Sequence, residues 1–217
     1  MENDPTLFIV DDDPAVRAGL TALVRSMGLQ AAAYQSAQEF LDAFDAARPG
    51  CLLLDVRMPG ISGLGLLEQL NREDVPLPVI VMSAYGDVPM VVRAMKAGAL
   101  NFLEKPSRDQ DLWEAIQEAL KWDQQHRQRL ALRAKVLHRL ERLNPGERDV
   151  LRLLIDGNSN KAIAEQLGLS VRTIEVRRSK LMKKMKAESL AELIRLTLSA
   201  SPEYGKQEAE IAQPGTI

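Results

Sequence analysis

The stretch CLLLDV, residues 51–56, decides the fold of the first half of the chain. It is an unbroken apolar run that ends in Asp55, and apolar residues at helical spacing follow it in GLGLLEQL (63–70). Two other apolar runs are TLFIV (6–10) and PVIVMSA (78–84), and two further strands are predicted at QAAAY (30–34) and at NFLEKP (101–106), which is short and ends in proline. Strands that are buried on both faces of a parallel sheet read as continuous apolar runs. Their alternation with helical stretches therefore predicts a doubly wound α/β domain with five parallel strands.

The overall composition is that of an ordinary globular protein, with 46% hydrophobic and 27% charged residues in a chain of 217. No stretch approaches the ~20 consecutive apolar residues that a membrane helix needs. The acidic N-terminus also lacks the pattern of a secretory signal. A single cysteine, Cys51, excludes an internal disulfide and fits a reducing compartment, so we expect a cytoplasmic protein with Cys51 packed in its core.

Charge is unevenly distributed along the chain, although the net charge is only −2. Residues 1–106 carry 14 Asp and Glu against 8 Lys and Arg, whereas residues 142–200 carry 7 against 12. An acidic first half and a basic last third indicate different partners for the two parts. The basic part is the candidate for binding an anionic polymer.

The second half is predicted to be helical throughout. No Gly or Pro interrupts residues 109–140, which predicts either one long helix or a helix that ends near Trp122 and continues as a loose connector. After Asn144 come ERDVLRLLIDG, SNKAIAEQLGL, SVRTIEVRRSKLMKKM and SLAELIRLTLSA. The second and third of these stretches, separated by Gly168 and the capping residue Ser170, have the form of a helix-turn-helix. A basic second helix in such a motif favours DNA binding, although a basic helix can also be a solvated surface.

Chemically distinctive residues stand where four of the predicted strands end. Asp11, Asp12 and Asp13 follow the first strand, and the other three are Asp55, Ser83 and Lys105. Ligands of doubly wound sheets bind at this edge, and clustered carboxylates there require a cation. Ligands that are all oxygen favour Mg²⁺, beside which a carboxylate can accept a phosphoryl group. The alternative is turn chemistry, with Asp13 capping a helix before Pro14.

The first half resembles CheY-like receiver domains, closest to the FixJ-type subgroup, over residues 4–122. The similar segments are FIVDDDPAVRAGL, LLLDVRMPGISGLGLLEQL and PVIVMSAYGDVPMVVRAMKAGALNFLEKP. The resemblance implies a flavodoxin-like strand order and a phosphoacceptor at Asp55. It also implies Mg²⁺ bound directly by Asp12, Asp55 and the backbone carbonyl of Arg57, and by Asp11 through water.

The same resemblance assigns further roles around the predicted phosphoacceptor. Ser83 would be the switch hydroxyl, Lys105 the ion-pair partner and Phe102 the switch aromatic. Ser107 departs from the family, which usually has an aromatic residue after Lys-Pro. Arg57 and Tyr85 flank the site, and we expect them to tune the lifetime of the phosphoryl group in a direction that remains open.

Residues 140–200 resemble the LuxR/NarL-type four-helix DNA-binding domain, with Asn144 in place of the usual Thr. The resemblance implies that Glu175, Val176 and Ser179 face base edges. It further implies that phosphates are held by Arg172, Thr173, Lys180 and Lys183. Arg177 replaces a residue that is often His, which leaves base preference there open. Leu190, Leu193 and Ile194 form either a dimer surface or part of the core.

The two resemblances together predict a phosphorylation-controlled transcriptional regulator that is not a turnover enzyme. We expect a receiver domain at 1–122, a helical linker at 123–141, a helix-turn-helix domain at 142–200 and a flexible tail at 201–217. The expected partners are a sensor histidine kinase, double-stranded DNA and, on phosphorylation, a second copy of the chain. A Mg²⁺-dependent phosphatase is the first rival, but it would need an acid where Arg57 stands. A regulator gated by a small molecule would need an aromatic-lined pocket, and only 4% of the residues are aromatic.

Overall fold

The computed structural model describes residues 4–205, which form two compact units divided after Arg127. Within these residues, no helix combines the length and apolarity needed to cross a membrane. Each unit has its own hydrophobic core.

The first unit is a five-stranded parallel sheet with the order β2-β1-β3-β4-β5, as the sequence predicts. The strands are β1 (Thr6–Val10), β2 (Gln30–Tyr34), β3 (Gly50–Asp55), β4 (Val79–Ser83) and β5 (Asn101–Glu104). The helices are α1 (Pro14–Ser26), α2 (Ala37–Ala43), α3 (Gly63–Arg72), α4 (Val88–Lys96) and α5 (Asp109–Glu141). This architecture confirms the predicted fold class.

Both faces of the sheet are buried, which is why its central strands read as continuous apolar runs. Successive side chains of a strand point to opposite faces. Phe8 and Val10 accordingly lie in one core cluster, while Leu7 and Ile9 lie in another. Cys51 belongs to the second cluster and is fully buried, as expected.

The strand register brings the chemically distinctive residues together at one edge. Val10 pairs with Leu54, so the residues that follow them, Asp11 and Asp55, are neighbours. On the other side, β4 pairs with β5 through Ser83 and Glu104, and Lys105 comes next in the chain.

The second unit contains four helices and the last part of α5. The helices are α6 (Pro145–Ile155), α7 (Asn160–Gln166), α8 (Val171–Met185) and α9 (Leu190–Ala200). Their N-caps are Asn144, Ser159, Ser170 and Ser189, each of which accepts a hydrogen bond from a backbone N–H of the first turn. Asn144 and Glu147 form a reciprocal capping box.

Helix α5 is continuous from Asp109 to Glu141, which confirms the long-helix interpretation over a break near Trp122. Its beginning packs in the first unit through Leu112 and Ile116. Its end contributes Val136 and Leu140 to the core of the second unit. The segment expected to be a linker, residues 123–141, is therefore packed at its end, and the predicted domain limits remain predictions.

The beginning of the expected flexible tail is ordered. Ser201 is buried, and a short 3-10 helix spans Pro202–Gly205. Tyr204 packs against the second core, which explains why a segment with little sequence pattern has a defined structure. The remainder of the expected tail lies outside the described residues.

Candidate functional site

The acidic edge of the sheet is organised around Lys105. Its Nζ lies 2.5 Å from Asp11 Oδ2 and 2.5 Å from Asp55 Oδ1, so one ammonium bridges the ends of three strands. Asp11 and Asp55 are only 3% and 9% exposed, which makes this a buried charge cluster. One cation between two carboxylates leaves a net negative charge that would favour a further cation.

Burial and charge act in opposite directions on this cluster. Burial is the main reason that the pKa of Asp55 is raised above its ordinary value, because the charged carboxylate loses hydration, and Lys105 offsets only part of the effect. Burial alone would lower the pKa of Lys105, but its contacts with Asp11 and Asp55 raise it. The ammonium therefore stays charged at neutral pH.

The backbone fixes the orientation of the Asp55 carboxylate. Oδ2 accepts a hydrogen bond from the backbone N–H of Arg57 at 2.6 Å. Gly63, the first residue of α3, packs against the Asp55 backbone so closely that a Cβ there would lie 1.9 Å from the carbonyl oxygen. A glycine is thus needed at this position to keep Asp55 at the edge of the sheet.

The remaining predicted metal ligands surround the same edge. Asp12 is exposed and lines a surface depression together with Arg57 and Met58. Asp13, in contrast, caps α1 by accepting the N–H of Ala15 at 2.7 Å, as the alternative interpretation expected for this residue. Among residues 4–205, no group of three or more His, Cys, Asp or Glu side chains is arranged to hold a metal. Mg²⁺ commonly uses only one or two carboxylates and keeps several waters, so the oxygen donors present still fit it.

Ser83 lies at the predicted edge, but its hydroxyl makes no hydrogen bond to Asp55. Its hydroxyl donates to the carbonyl oxygen of Tyr85 at 3.0 Å and accepts the N–H of Tyr85 at 3.2 Å. Phe102 is partly buried against the first core cluster, and its ring edge lies close to Gly86. The structure therefore places both predicted switch residues beside the β4–α4 loop.

Arg57 and Tyr85 contact each other at the surface. The guanidinium carbon of Arg57 lies 4.7 Å from the centre of the Tyr85 ring, a cation–π contact. Tyr85 is 64% exposed, so the ring lies outside the core.

One buried polar cluster at the opposite end of β3 was not predicted. Asp123 of α5 is buried and accepts the N–H of Gly50 at 3.0 Å and the Nε of Arg127 at 2.8 Å. Arg127 also donates to the carbonyl oxygens of Ala47 and Arg48. The spacing of Asp123 and Arg127 is visible in the sequence, but it is equally typical of a surface ion pair.

The basic helix α8 presents most of the residues predicted to contact DNA to solvent. Arg172, Glu175, Val176, Ser179, Lys180 and Lys183 are exposed, and Thr173 is half-buried. Ile174, Leu181 and Met185 are buried on the opposite face. The two faces of α8 are therefore clearly divided between core and solvent.

Two basic residues of α8 have partners inside the unit. Lys184 Nζ lies 2.6 Å from the buried carboxylate of Glu147, and Arg178 donates to Asn160 Oδ1 at 3.0 Å. Burial alone would raise the pKa of Glu147, but Lys184 and the backbone N–H of Asn144 hold it below its ordinary value. The sequence did not distinguish these paired cations from those that face solvent.

Helix α9 was expected to contribute either a dimer surface or part of the core, and the structure decides between these for part of it. Leu193 is fully buried in the second core, and Leu190 packs against it. Ile194 is half-buried. Leu193 is thus a core residue rather than part of an exposed dimer surface.

Comparisons with known proteins agree with both halves of this description. Residues 7–117 match the response regulator receiver domain family, and residues 141–197 match the luxR family of bacterial regulatory proteins. Transcriptional regulatory protein FixJ of Azorhizobium caulinodans is 46% identical over 194 residues, covering 89% of this chain and 92% of its own. Nodulation protein W of Bradyrhizobium diazoefficiens is 42% identical over 203 residues, covering 93% of this chain and 89% of its own.

Solved structures give the same result. The response regulator StyR has a TM-score of 0.80 and 42% identity, covering 89% of this chain and 98% of that one. Full-length FixJ from B. japonicum has a TM-score of 0.56 and 40% identity, covering 92% of this chain and 98% of that one.

Proposed function

Because the chain belongs to the response regulators that join a receiver domain to a LuxR-type DNA-binding domain, we propose that Asp55 is its phosphoacceptor. As a member of this family, the protein is a transcriptional regulator controlled by phosphorylation. The observation that carries the assignment of Asp55 is the bridge that Lys105 makes between Asp55 and Asp11.

The chemistry of the proposed step follows from this bridge. A carboxylate oxygen of Asp55 forms a bond to phosphorus while the bond from phosphorus to a nitrogen of the kinase histidine breaks. The electron pair of the broken bond leaves with that nitrogen. Lys105 lies where it can balance charge on the transferred oxygens, and the Arg57 N–H orients the nucleophile.

We propose that Mg²⁺ is held at this edge by Asp12, Asp55 and the Arg57 carbonyl, with Asp11 acting through water. The support is the all-oxygen donor set and the excess of buried carboxylate over the single cation Lys105. When bound, the metal neutralises the charge that develops on the phosphoryl oxygens. In this proposal the protein accepts the phosphoryl group from the kinase, catalyses its own phosphotransfer and dephosphorylation, and is not a turnover enzyme.

The proposed output begins at Ser83. Its hydroxyl would have to leave Tyr85 to reach a phosphoryl oxygen, and Phe102 would follow because it packs beside the same loop. Beyond that loop, α4 exposes the apolar residues Val88, Val92 and Met95. We propose that the face formed by α4 and β5 joins two copies of the chain after phosphorylation.

The proposed dimer reads DNA through α8. Glu175, Val176 and Ser179 would face base edges, while Arg172, Thr173, Lys180 and Lys183 would hold phosphates. The support is their placement on the solvent-facing side of α8, opposite its buried residues. The phosphoryl donor would be a sensor histidine kinase, and the place of action the cytoplasm.

Acetyl phosphate with Mg²⁺ provides the test. We expect the wild-type protein to gain the mass of one phosphoryl group and to bind DNA more tightly, and Asp55→Asn to do neither. Asp74→Asn is the matched control, since Asp74 is an exposed residue at φ 52°, a conformation that Asn tolerates. A phosphoryl adduct on Asp55→Asn, or an equal DNA response in both variants, would contradict the assignment.

A further inference from the structure

We propose that Arg177 is a DNA-phosphate contact that Gly146 keeps in position, an inference that rests on the proposed DNA-binding function of α8. A side chain at position 146 would enter the space that the guanidinium occupies and would force that group to move. A Cβ at Gly146 would lie 2.6 Å from Nη1 and 2.8 Å from the guanidinium carbon of Arg177. The guanidinium thus rests directly on the backbone of the first turn of α6.

Nothing in the described residues satisfies the charge of Arg177. Its guanidinium makes no hydrogen bond, ion pair or aromatic contact within residues 4–205. Glu147, the residue that follows Gly146, is already bonded to Lys184. The first turn of a helix also disfavours a cation, because unpaired N–H groups give it a partial positive charge. The guanidinium of Arg177 therefore lies beside Gly146 with no hydrogen-bond partner among residues 4–205.

The position of Arg177 along α8 indicates that its ligand is a phosphate of the DNA backbone. Thr173 lies four residues before it and Lys180 three residues after it, so the three side chains follow one line on the helix surface. Thr173 and Lys180 are proposed phosphate contacts. Val176 and Ser179, which are proposed to face bases, lie on a different line together with the other two proposed phosphate contacts. Arg177 accordingly shares its line with two proposed phosphate contacts and with no residue that is proposed to face a base.

Arg177 differs from its neighbour Arg178 because only Arg178 has a hydrogen-bond partner within the second unit. Arg178 also carries a guanidinium, but its Nη1 is bonded to Asn160. Arg177 has five donors available and a planar group that fits a phosphate in two-pronged geometry. The absence of a side chain at Gly146 leaves the room in which this guanidinium lies.

The test measures binding of the phosphorylated full chain to a labelled DNA duplex of arbitrary sequence over a range of salt concentrations. Such a probe reports phosphate contacts and is insensitive to base reading. We expect Arg177→Gln to weaken binding about threefold to tenfold and to reduce the salt slope by about one. Arg177→Lys should keep part of the slope. Arg195→Gln removes an equal charge from an exposed position of α9 and should leave the slope unchanged.

The role of Gly146 is tested by the variant Gly146→Ala, which adds one methyl group at that position. Alanine also has a higher helix propensity than glycine. We expect this variant to keep its thermal unfolding midpoint and yet to weaken DNA binding. The double variant with Arg177→Gln should bind no worse than Arg177→Gln alone, because both changes remove one contact. An unchanged salt slope in Arg177→Gln overturns the contact, and additive losses in the double variant overturn the role of Gly146. If the wild-type chain bound no DNA, the proposed function itself would fail.

Discussion

Lys105 is the single side chain on which the acidic edge depends. Its side chain is 18% exposed, and its ammonium compensates two carboxylates whose side chains are 4% and 10% exposed. A buried carboxylate without a partner is far more costly than a surface one, because water cannot replace the lost interaction. The stability of the first unit should therefore be linked to this residue.

Lys105→Met should lower the free energy of unfolding by about 2–4 kcal/mol when divalent metal is chelated. Adding Asp55→Asn should recover much of that loss, because one of the two uncompensated charges is then removed. Urea unfolding of the two variants and the wild type measures both effects. A double variant as unstable as Lys105→Met alone would contradict the charge explanation.

The sequence predicted which residues meet at this edge, but not how each side chain is bonded. Asp55 and Lys105 could be placed because the ends of parallel strands converge, whatever the details of packing. The bonding of Ser83 to Tyr85 depends on one side-chain rotation and on the path of the following loop. The contact between Arg177 and Gly146 was not predicted, because the two residues lie 31 positions apart in the sequence and belong to different helices.

Helix α8 carries two kinds of basic residue, and adjacent lysines illustrate the difference. Lys183 is exposed and faces the proposed DNA side, whereas Lys184 is bonded to the buried carboxylate of Glu147. The same residue type at successive positions thus serves two purposes, since neighbours on a helix point in directions about 100° apart.

The two lysines should give opposite results when each is changed to Gln. Lys183→Gln should weaken DNA binding about threefold to tenfold with little change in stability. Lys184→Gln should lower the free energy of unfolding by about 1 kcal/mol, a modest value because the Lys184 side chain is 40% exposed and solvent screens its charge. Salt-dependent DNA binding and urea unfolding of both variants make the comparison, and equal stabilities would contradict it.

The effect of Lys184 should also depend on pH. The folded protein holds the pKa of Glu147 below its ordinary value of 4.5, so the stabilisation is present above that pH. It is lost as the pH falls through the lowered value, where the folded carboxylate takes up a proton. The stability difference between wild type and Lys184→Gln should accordingly shrink in acid.

The sequence predicted α8 and its capping residue, but not which of its basic residues are paired inside the unit. Ser170 and the spacing of Ile174 and Leu181 are local signals. The partner of Lys184 is Glu147, which belongs to another helix and acts first as a capping residue of α6. Local patterns predict elements well, whereas partners chosen across elements require the packed structure.

On the scale of the whole molecule, α5 is the element that enters both hydrophobic cores. Residues 136 and 140 are 1% and 6% exposed, although they lie in the segment that composition marks as a linker. Arg133 and Arg139 add hydrogen bonds to the carbonyl oxygens of Ala200 and Met185 at the ends of α9 and α8. The end of α5 is therefore a structural part of the second unit.

Two fragments can measure this contribution. A fragment of residues 128–217 should be more stable than one of residues 142–217 by roughly 3–5 kcal/mol, because the shorter one lacks the burial of Val136 and Leu140. Introducing Val136→Ala and Leu140→Ala into the longer fragment should remove most of the difference. Similar urea midpoints for the two fragments would show that α5 is dispensable to this core.

Strand β3 has buried polar contacts at both of its ends. At the end of the strand, Asp55 contacts Lys105 at the acidic edge. At its beginning, the N–H of Gly50 donates a hydrogen bond to the carboxylate of Asp123. Five residue steps of a strand cover roughly 17 Å. An amide proton bonded to a buried carboxylate gives an unusual nuclear magnetic resonance signal, so Gly50 is a natural spectroscopic probe. Its resonance would report, from the far end of one rigid strand, whether chemistry at Asp55 disturbs the anchoring of α5.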